Sequence, residues 1–271
     1  TRVSRSGGCL PRRPTTLYDE NELNRSAPRL GEILVSSRSL AEYRAMFSLT
    51  EDDLNSRILD CPGGAASFTG EVNGLGGKAT ACDSAYFDTT PADLAAIAIN
   101  EAERGNAFVH THRHNYTWTY FADPDHHERI REDAAGRFAT DINDHPEQYV
   151  PGRLPSLPFG DDSFDLVLSS HLLFSYSDVL DHQFHIDSIT ELARVSRSEV
   201  RIFPLVAVGE PTPYPHLGDL LENLADCGID CRIVKVDYEF QRGADEMLVC
   251  SRGPTRSVDR SENDPEEWIH G

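Results

Sequence analysis

Lysine is almost absent from this chain. Only Lys78 and Lys235 occur among 25 basic residues, which leaves 25 − 2 = 23 arginines, against 45 acidic residues and a net charge of −20. The acids are spread along the sequence rather than gathered in a tail. That is the pattern of a solvated acidic surface, as in proteins adapted to high salt. A surface of this sign repels phosphate backbones and so disfavours broad nucleic-acid binding, although molar salt screens the repulsion within ~3 Å. Long apolar runs are missing too. No stretch approaches the roughly 18 residues that a membrane-spanning helix needs. The opening TRVSRSGGCLPRRP has basic residues without an apolar core, so no secretory signal is expected and the cytoplasm is the expected compartment. Cysteine is scarce and scattered: six residues (Cys9, Cys61, Cys82, Cys227, Cys231, Cys250) do not make a disulfide framework. Cys61, Cys82 and Cys250 lie in apolar strand contexts and read as small buried residues. Cys227 and Cys231 lack a second ligand pair, so no metal site is expected there.

What is present is organised around residues 58 to 83, ILDCPGGAASFTGEVNGLGGKATACD. A buried strand ends at Asp60, a glycine turn follows at Pro62-Gly63-Gly64, then a small-residue helix start, then a strand ending at Asp83. This βαβ unit can cradle an adenosine-type ligand. Glycines allow close backbone approach, helix N–H groups face the ligand, and the second carboxylate can take two ribose hydroxyls. The acids lie 83 − 60 = 23 residues apart, near the roughly 20 that this arrangement uses.

Around this unit the chain alternates strands and helices. Residues 39 to 49 and 91 to 105 have helical apolar spacing, the second ending at Gly105, and 181 to 196 and 216 to 228 follow. FDLVLSS (164 to 170) is a near-continuous apolar strand, as a doubly covered parallel sheet requires. Residues 149 to 159 and 199 to 208 supply further strands, and CRIVKVDYEF with DEMLVCSR supplies a closing hairpin. Alternation argues for a mostly parallel sheet with helices on both faces, and the hairpin adds an antiparallel strand. We divide the chain into an N-terminal arm (1 to 38), a main domain (39 to 252) carrying an inserted lid at about 106 to 148, and a polar tail (253 to 271). The lid contains His110-Thr111-His112-Arg113-His114, Tyr116, Trp118 and His126-His127. Alternating histidines on a strand would project three imidazoles to one side, but without a clear acidic or cysteine partner a polar, aromatic-packed lid is the expectation rather than a metal centre.

Four ordered pieces carry a resemblance: ILDCPGGAASF, ATACD, GRLPSLPFGDDSFDLVLSSHLLF and ITELARVSRSEVRIFPL. Together they are similar to class I S-adenosylmethionine-dependent methyltransferases over roughly residues 40 to 250. The resemblance implies the Rossmann-like, seven-stranded methyltransferase fold and S-adenosyl-L-methionine as cofactor. It implies that Asp60, Cys61 and the Pro62-Gly63-Gly64 backbone hold the methionine moiety. Asp83 and Ser84 would take the ribose, Arg153 and Leu154 the adenine, and Ser169 and Ser170 would face the sulfonium with His171 as a candidate base. Pro62 and Ala66 replace two of the family's glycines, and the turn between the 181–196 helix and the next strand is shortened. Both departures suggest a distinct subfamily. Ser169-Ser170-His171-Leu172 lacks the signature suited to planar amino acceptors, so the implied partner is a small-molecule methyl acceptor. An RNA or protein methyltransferase, and a non-catalytic cofactor-binding protein, are the alternatives.

Overall fold

The computed structural model describes residues 33–253. The expected arm up to residue 32 and the tail from residue 254 lie outside the described residues. Short side chains that accept from their own third residue start most of the helices. Ser39 and Thr50 each form a reciprocal capping box, with Glu42 and Asp53, and so begin α1 (Leu40–Phe47) and α2 (Glu51–Leu54). Thr90 and Asp123 cap α4 (Pro91–Thr111) and α5 (Pro124–Asp144), each with proline in its first turn, where no N–H is missed. Asp181 caps α6 (His182–Val195). The remaining helices are α3 (Phe68–Gly74) and α7 (Leu217–Asp226).

The strands are β1 (Arg57–Asp60), β2 (Lys78–Asp83), β3 (Tyr149–Pro151), β4 (Phe164–Ser170), β5 (Ser196–Phe203), β6 (Ile229–Lys235) and β7 (Glu246–Arg252). They form one sheet in the order β3-β2-β1-β4-β5-β7-β6, with β7 antiparallel to both neighbours and the first five strands parallel. This is the Rossmann-like, seven-stranded methyltransferase fold. Both faces are covered, which explains the unbroken apolar run of β4. Val167 packs with Leu59, Val200, α6 and α7, whereas Leu166 and Leu168 pack with Ile58, α1 and α3 on the other face. Helices α4 and α5 form a third cluster against Ala81 of β2.

Strand order reverses between β1 and β4, and that gap is where open α/β sheets bind ligands. Register brings the functional candidates to it. Asp60 lies beside Ala81 and Leu168, Asp83 beside Pro151, and Ser170 beside Phe203, so all stand on the C-terminal edge.

Three local expectations are corrected. Helix α4 does not stop at Gly105 but runs to Thr111, because nothing beyond ordinary contact crowds that glycine and an amphipathic face continues through Asn106 and Val109. His110 and Thr111 are therefore helical, and Arg113–Asn115 form a 3₁₀ turn, so the alternating histidines do not project from a strand. Cys250 is not a lone buried thiol. It forms a disulfide with Cys231, its register partner across β6 and β7, which also removes Cys231 as a metal ligand.

Candidate functional site

The turn after β1 is tied to β2 at several points. Gly63 N–H donates to the Cys82 carbonyl (3.0 Å), Gly64 N–H donates to Asp83 Oδ2 (2.8 Å), and the Tyr86 hydroxyl donates to the Gly64 carbonyl (2.7 Å). Any Cβ at position 63 would stand 2.8 Å from the Ala81 Cβ, and Gly64 has φ +53°, so both positions demand glycine. Segment 33–38 then crosses over the turn. Ser36 and Arg38 carbonyls accept from Ala65 N–H (3.2 Å) and Ser67 N–H (3.0 Å), so this segment takes up N–H groups at the approach to α3.

Asp83 is 9% exposed and accepts from Gly64 N–H and Ala85 N–H, each at 2.8 Å. The Ser84 hydroxyl also donates to Oδ1 (3.5 Å); a carboxylate offers about four acceptor positions, so Asp83 keeps capacity for a diol once Ser84 turns to the ligand. Burial raises the Asp83 pKa, opposed by those backbone N–H groups. Asp60 is fully buried, and one hydroxyl, that of Tyr43, lies 3.0 Å from both its oxygens. Burial pushes the Asp60 carboxyl well above the usual carboxylate range. The Tyr43 hydroxyl opposes this and the Asp83 charge adds to it. Because the folded value exceeds the unfolded one, the folded protein keeps a proton that the unfolded chain has already released, and stability falls as pH rises through that window. Asp60→Asn should therefore raise stability at neutral pH by about 0.5–2 kcal/mol. Thermal melts across pH should show a flatter profile than the parent, and an unchanged profile would refute the assignment.

At the end of β4, Ser169 is buried with its hydroxyl unpartnered, and Ser170 Oγ lies 2.8 Å from His171 Nδ1. His171 sits at φ +53°, a conformation sparsely populated by non-glycine residues, and its N–H donates to the Phe203 carbonyl (2.7 Å). Burial, then the Arg38 and Arg131 charges, hold its pKa well below the ordinary histidine value. The imidazole is neutral and can accept a hydrogen bond, but it is a weak proton acceptor. The other predicted residues divide: Cys61 and Leu154 are buried with Cys82 in the core, whereas Ser84 and Arg153 are exposed. His182 and His185 belong to α6. His185 is walled by Phe174 and Tyr214, with its ring nitrogens facing the Asp181 and Leu173 carbonyls, so it is a core histidine.

Beside His171 opens a cleft of about 880 Å³, mouth included. Its lining includes Ser37, Arg38, Asn106, His127, Arg131 and Phe240. Of these, only His127 was singled out in the sequence, and only as part of the lid. The missed residues come from segment 33–38, α4, α5 and the β6–β7 connection, and a one-dimensional pattern has no signal that joins them. One detail was visible: Asn106 interrupts the apolar face of α4, between Ala102 and Val109.

The histidine-rich stretch gives one further cluster. His110 Nε2 lies 3.0 Å from Glu128 and 3.9 Å from Asp125, with ligand atoms of all three within 4.8 Å of one another. The acidic partners that the sequence did not reveal thus come from the first turn and a half of α5. All three side chains are more than a third exposed, and the contact reads as a surface ion pair between α4 and α5. Among the described residues, no helix is long and apolar enough to cross a membrane.

No protein-family model matches the chain. Among solved structures, magnesium protoporphyrin IX methyltransferase from Synechocystis PCC 6803, with bound SAM, is 14% identical with a TM-score of 0.42. That match covers 79% of this chain and 78% of that one. A SAM dependent methyltransferase from Aquifex aeolicus is 15% identical with a TM-score of 0.41, covering 78% and 88%. In sequence, the uncharacterized protein MJ0045 of Methanocaldococcus jannaschii is 31% identical over 229 residues, spanning 82% of this chain and 98% of that protein. Identity at this level along almost the whole archaeal protein means that the chain belongs to the family of MJ0045.

Proposed function

We propose that the chain is an S-adenosylmethionine-dependent methyltransferase acting on a small-molecule acceptor. The observation that carries this reading is Asp83. A carboxylate ends β2, bonded to the glycine turn of β1, beside the switch point of a seven-stranded sheet whose one antiparallel strand is β7. Residue chemistry fits the cofactor: Asp83 has spare acceptor capacity for a ribose diol, and the buried Ser169 hydroxyl has no partner. Asp60, Ser169 and Ser170 would hold the methionine end beside Cys61 and the Pro62-Gly63-Gly64 turn, whose N–H groups are bonded within the protein. Ser84 would join Asp83 at the ribose, and Arg153 and Leu154 would flank the base.

When bound, the cofactor supplies a sulfonium methyl, which passes to an acceptor lone pair as the carbon–sulfur bond breaks and a neutral thioether is left. The protein's task is alignment and exclusion of water, and proximity of that kind can supply roughly 7–11 kcal/mol. A base is required only for an acceptor that begins protonated; His171, neutral and at the cleft floor, would receive a hydrogen bond from it. A net charge of −20 favours a small acceptor over RNA. Titration calorimetry with S-adenosylmethionine and S-adenosylhomocysteine should show saturable one-to-one binding. Absence of heat with both, in low and in molar salt, would refute the proposal.

The same charge, with only two lysines, supports adaptation to concentrated salt. At ~0.1 M salt the screening length is ~10 Å and at ~1 M it is ~3 Å, so self-repulsion of surface acids is relieved by salt. Thermal melts should move up by ~5 °C between dilute and molar KCl, the shift that about 1–2 kcal/mol produces in a domain of this size. A falling midpoint would count against the reading.

A further inference from the structure

Eight buried side-chain polar atoms lack a hydrogen-bond partner among the described residues, and five of them line the cleft beside His171. They are Ser37 Oγ, Arg38 Nε, both amide atoms of Asn106, and His127 Nδ1. Asn106 and Ser37 are 2% exposed and His127 is 3% exposed. An unpaired buried polar atom costs about 1–3 kcal/mol, so five around one cavity mark a surface built for something polar that enters it. Most of the five are donors. Arg131 Nε donates to His127 Nε2 (3.1 Å), which leaves the proton of the neutral ring on Nδ1, an atom with no partner among the described residues. Burial and the neighbouring arginines push the His127 pKa down to about 2, so the ring carries no charge.

The charges facing the cleft do not cancel. Arg131 is paired with the fully buried Glu42 (2.7 Å), and Glu101 is paired with Arg104 (2.7 Å). Arg38 is left over. Among the described residues its side chain donates to the Ser36 hydroxyl, and no carboxylate lies within ion-pair distance of it. Among the described residues, the charged groups at the cleft thus sum to one positive charge, with Glu42 acting on Arg38 as well as on Arg131. Aromatic and aliphatic side chains supply much of the rest of the wall. Phe240 stacks on Tyr116 at 4.4 Å and on His127 at 4.7 Å, and Phe203, Val109 and Tyr238 complete it.

We propose that this cleft is the acceptor site, and that the acceptor is a small, ring-sized apolar molecule bearing a carboxylate or phosphate that docks against Arg38. Asn106 and His127 donate to that anion or to polar groups beside it, and the aromatic wall takes the apolar body. The role as acceptor rests on the methyltransferase reading above; the anion selectivity does not.

The test uses the full chain at fixed salt and two matched sets of probes, by calorimetry or ligand-observed NMR. The anions are 4-hydroxybenzoate and 4-hydroxyphenyl phosphate; the neutral partners are 4-hydroxybenzamide and methyl 4-hydroxybenzoate. At least one anion should bind about tenfold or more tightly than the neutral partners, a difference worth ~1.4 kcal/mol. Which anion prevails separates a carboxylate-bearing from a phosphate-bearing acceptor. Arg38→Gln should abolish the preference, Arg38→Lys should keep part of it, and Asn106→Leu should weaken anion and neutral partner alike. Where Arg38→Gln does not fold, Asn106→Asp replaces it, because a carboxylate placed before Arg38 should cancel the preference. Equal binding of anionic and neutral probes, a preference that survives Arg38→Gln, or no saturable anion binding at roughly millimolar concentration would each overturn the proposal. Calorimetry with S-adenosylmethionine on the same variants keeps the two readings apart. Cofactor affinity should stay within about threefold in Arg38→Gln and Asn106→Leu, whereas a parent protein that binds the anions but no cofactor would sink the methyltransferase reading alone.

Discussion

Glu42→Gln should cost about 3–5 kcal/mol of folding stability, the largest single-residue effect expected in this fold. Glu42 closes three elements at once. Its Oε2 accepts from the Ser39 N–H (3.1 Å) in the capping box of α1 and from Arg131 Nη1 of α5 (2.7 Å). Its Oε1 accepts from the Tyr238 hydroxyl (3.3 Å), in the connection between β6 and β7. Glu42 is wholly buried and the Arg131 side chain is 8% exposed, so water cannot replace either partner. An amide at position 42 leaves the guanidinium charged, buried and short of its counter-ion. The pair as such need not stabilise the fold, because desolvating both charges offsets most of their attraction. Breaking it by halves is what costs. Glu42→Gln combined with Arg131→Met should therefore recover more than half of the loss in urea melts. A double variant as unstable as the sum of the two singles would show that the residues act independently.

That pair also shows where the sequence was legible and where it was not. Ser39-Leu-Ala-Glu42 has capping-box spacing, and a helix over 39 to 49 could be read from periodicity, because those forces act within one or two turns of chain. The partner of Glu42 lies 89 residues away, at a position of α5 with no mark of its own. The mostly parallel character of the sheet was legible for the same local reasons. The double-faced burial of FDLVLSS, the acids ending β1 and β2, and the closing hairpin each follow from period and termination, and the sheet has the expected form. The continuation of α4 through Gly105 was missed because an isolated glycine weakens a helix by only about 1 kcal/mol, which tertiary packing against α5 overrides. The cleft was missed for a different reason. Ser37 and Arg38, Asn106, Arg131 and Phe240 come from four separate parts of the chain, and each reads alone as a surface or core residue. Only the fold brings Arg38 to the cleft without an ion-pair partner among the described residues.

Asp83→Ala should lower affinity for S-adenosylmethionine about 100-fold, which corresponds to ~2.7 kcal/mol and suits the loss of hydrogen bonds to a charged acceptor. Two consequences of the geometry make the test sharper than a simple loss. Removing the carboxylate strips Gly64 N–H and Ala85 N–H of their acceptor, so the variant should also unfold about 1–3 kcal/mol more easily. Affinity must therefore be measured well below the midpoint of its melt. The pH dependence supplies an independent sign. Burial raises the Asp83 pKa, so the ionised acceptor is lost on acidification earlier than an ordinary aspartate would lose it. Parent affinity should then fall as pH drops through that raised value. In Asp83→Ala this part of the profile should vanish, because no proton binds at position 83. An affinity that is unchanged in the variant, or a parent profile flat down to the ordinary aspartate range near 3.9, would remove Asp83 from the cofactor site. The glycine turn would then bear only on the chain's own segment 33–38.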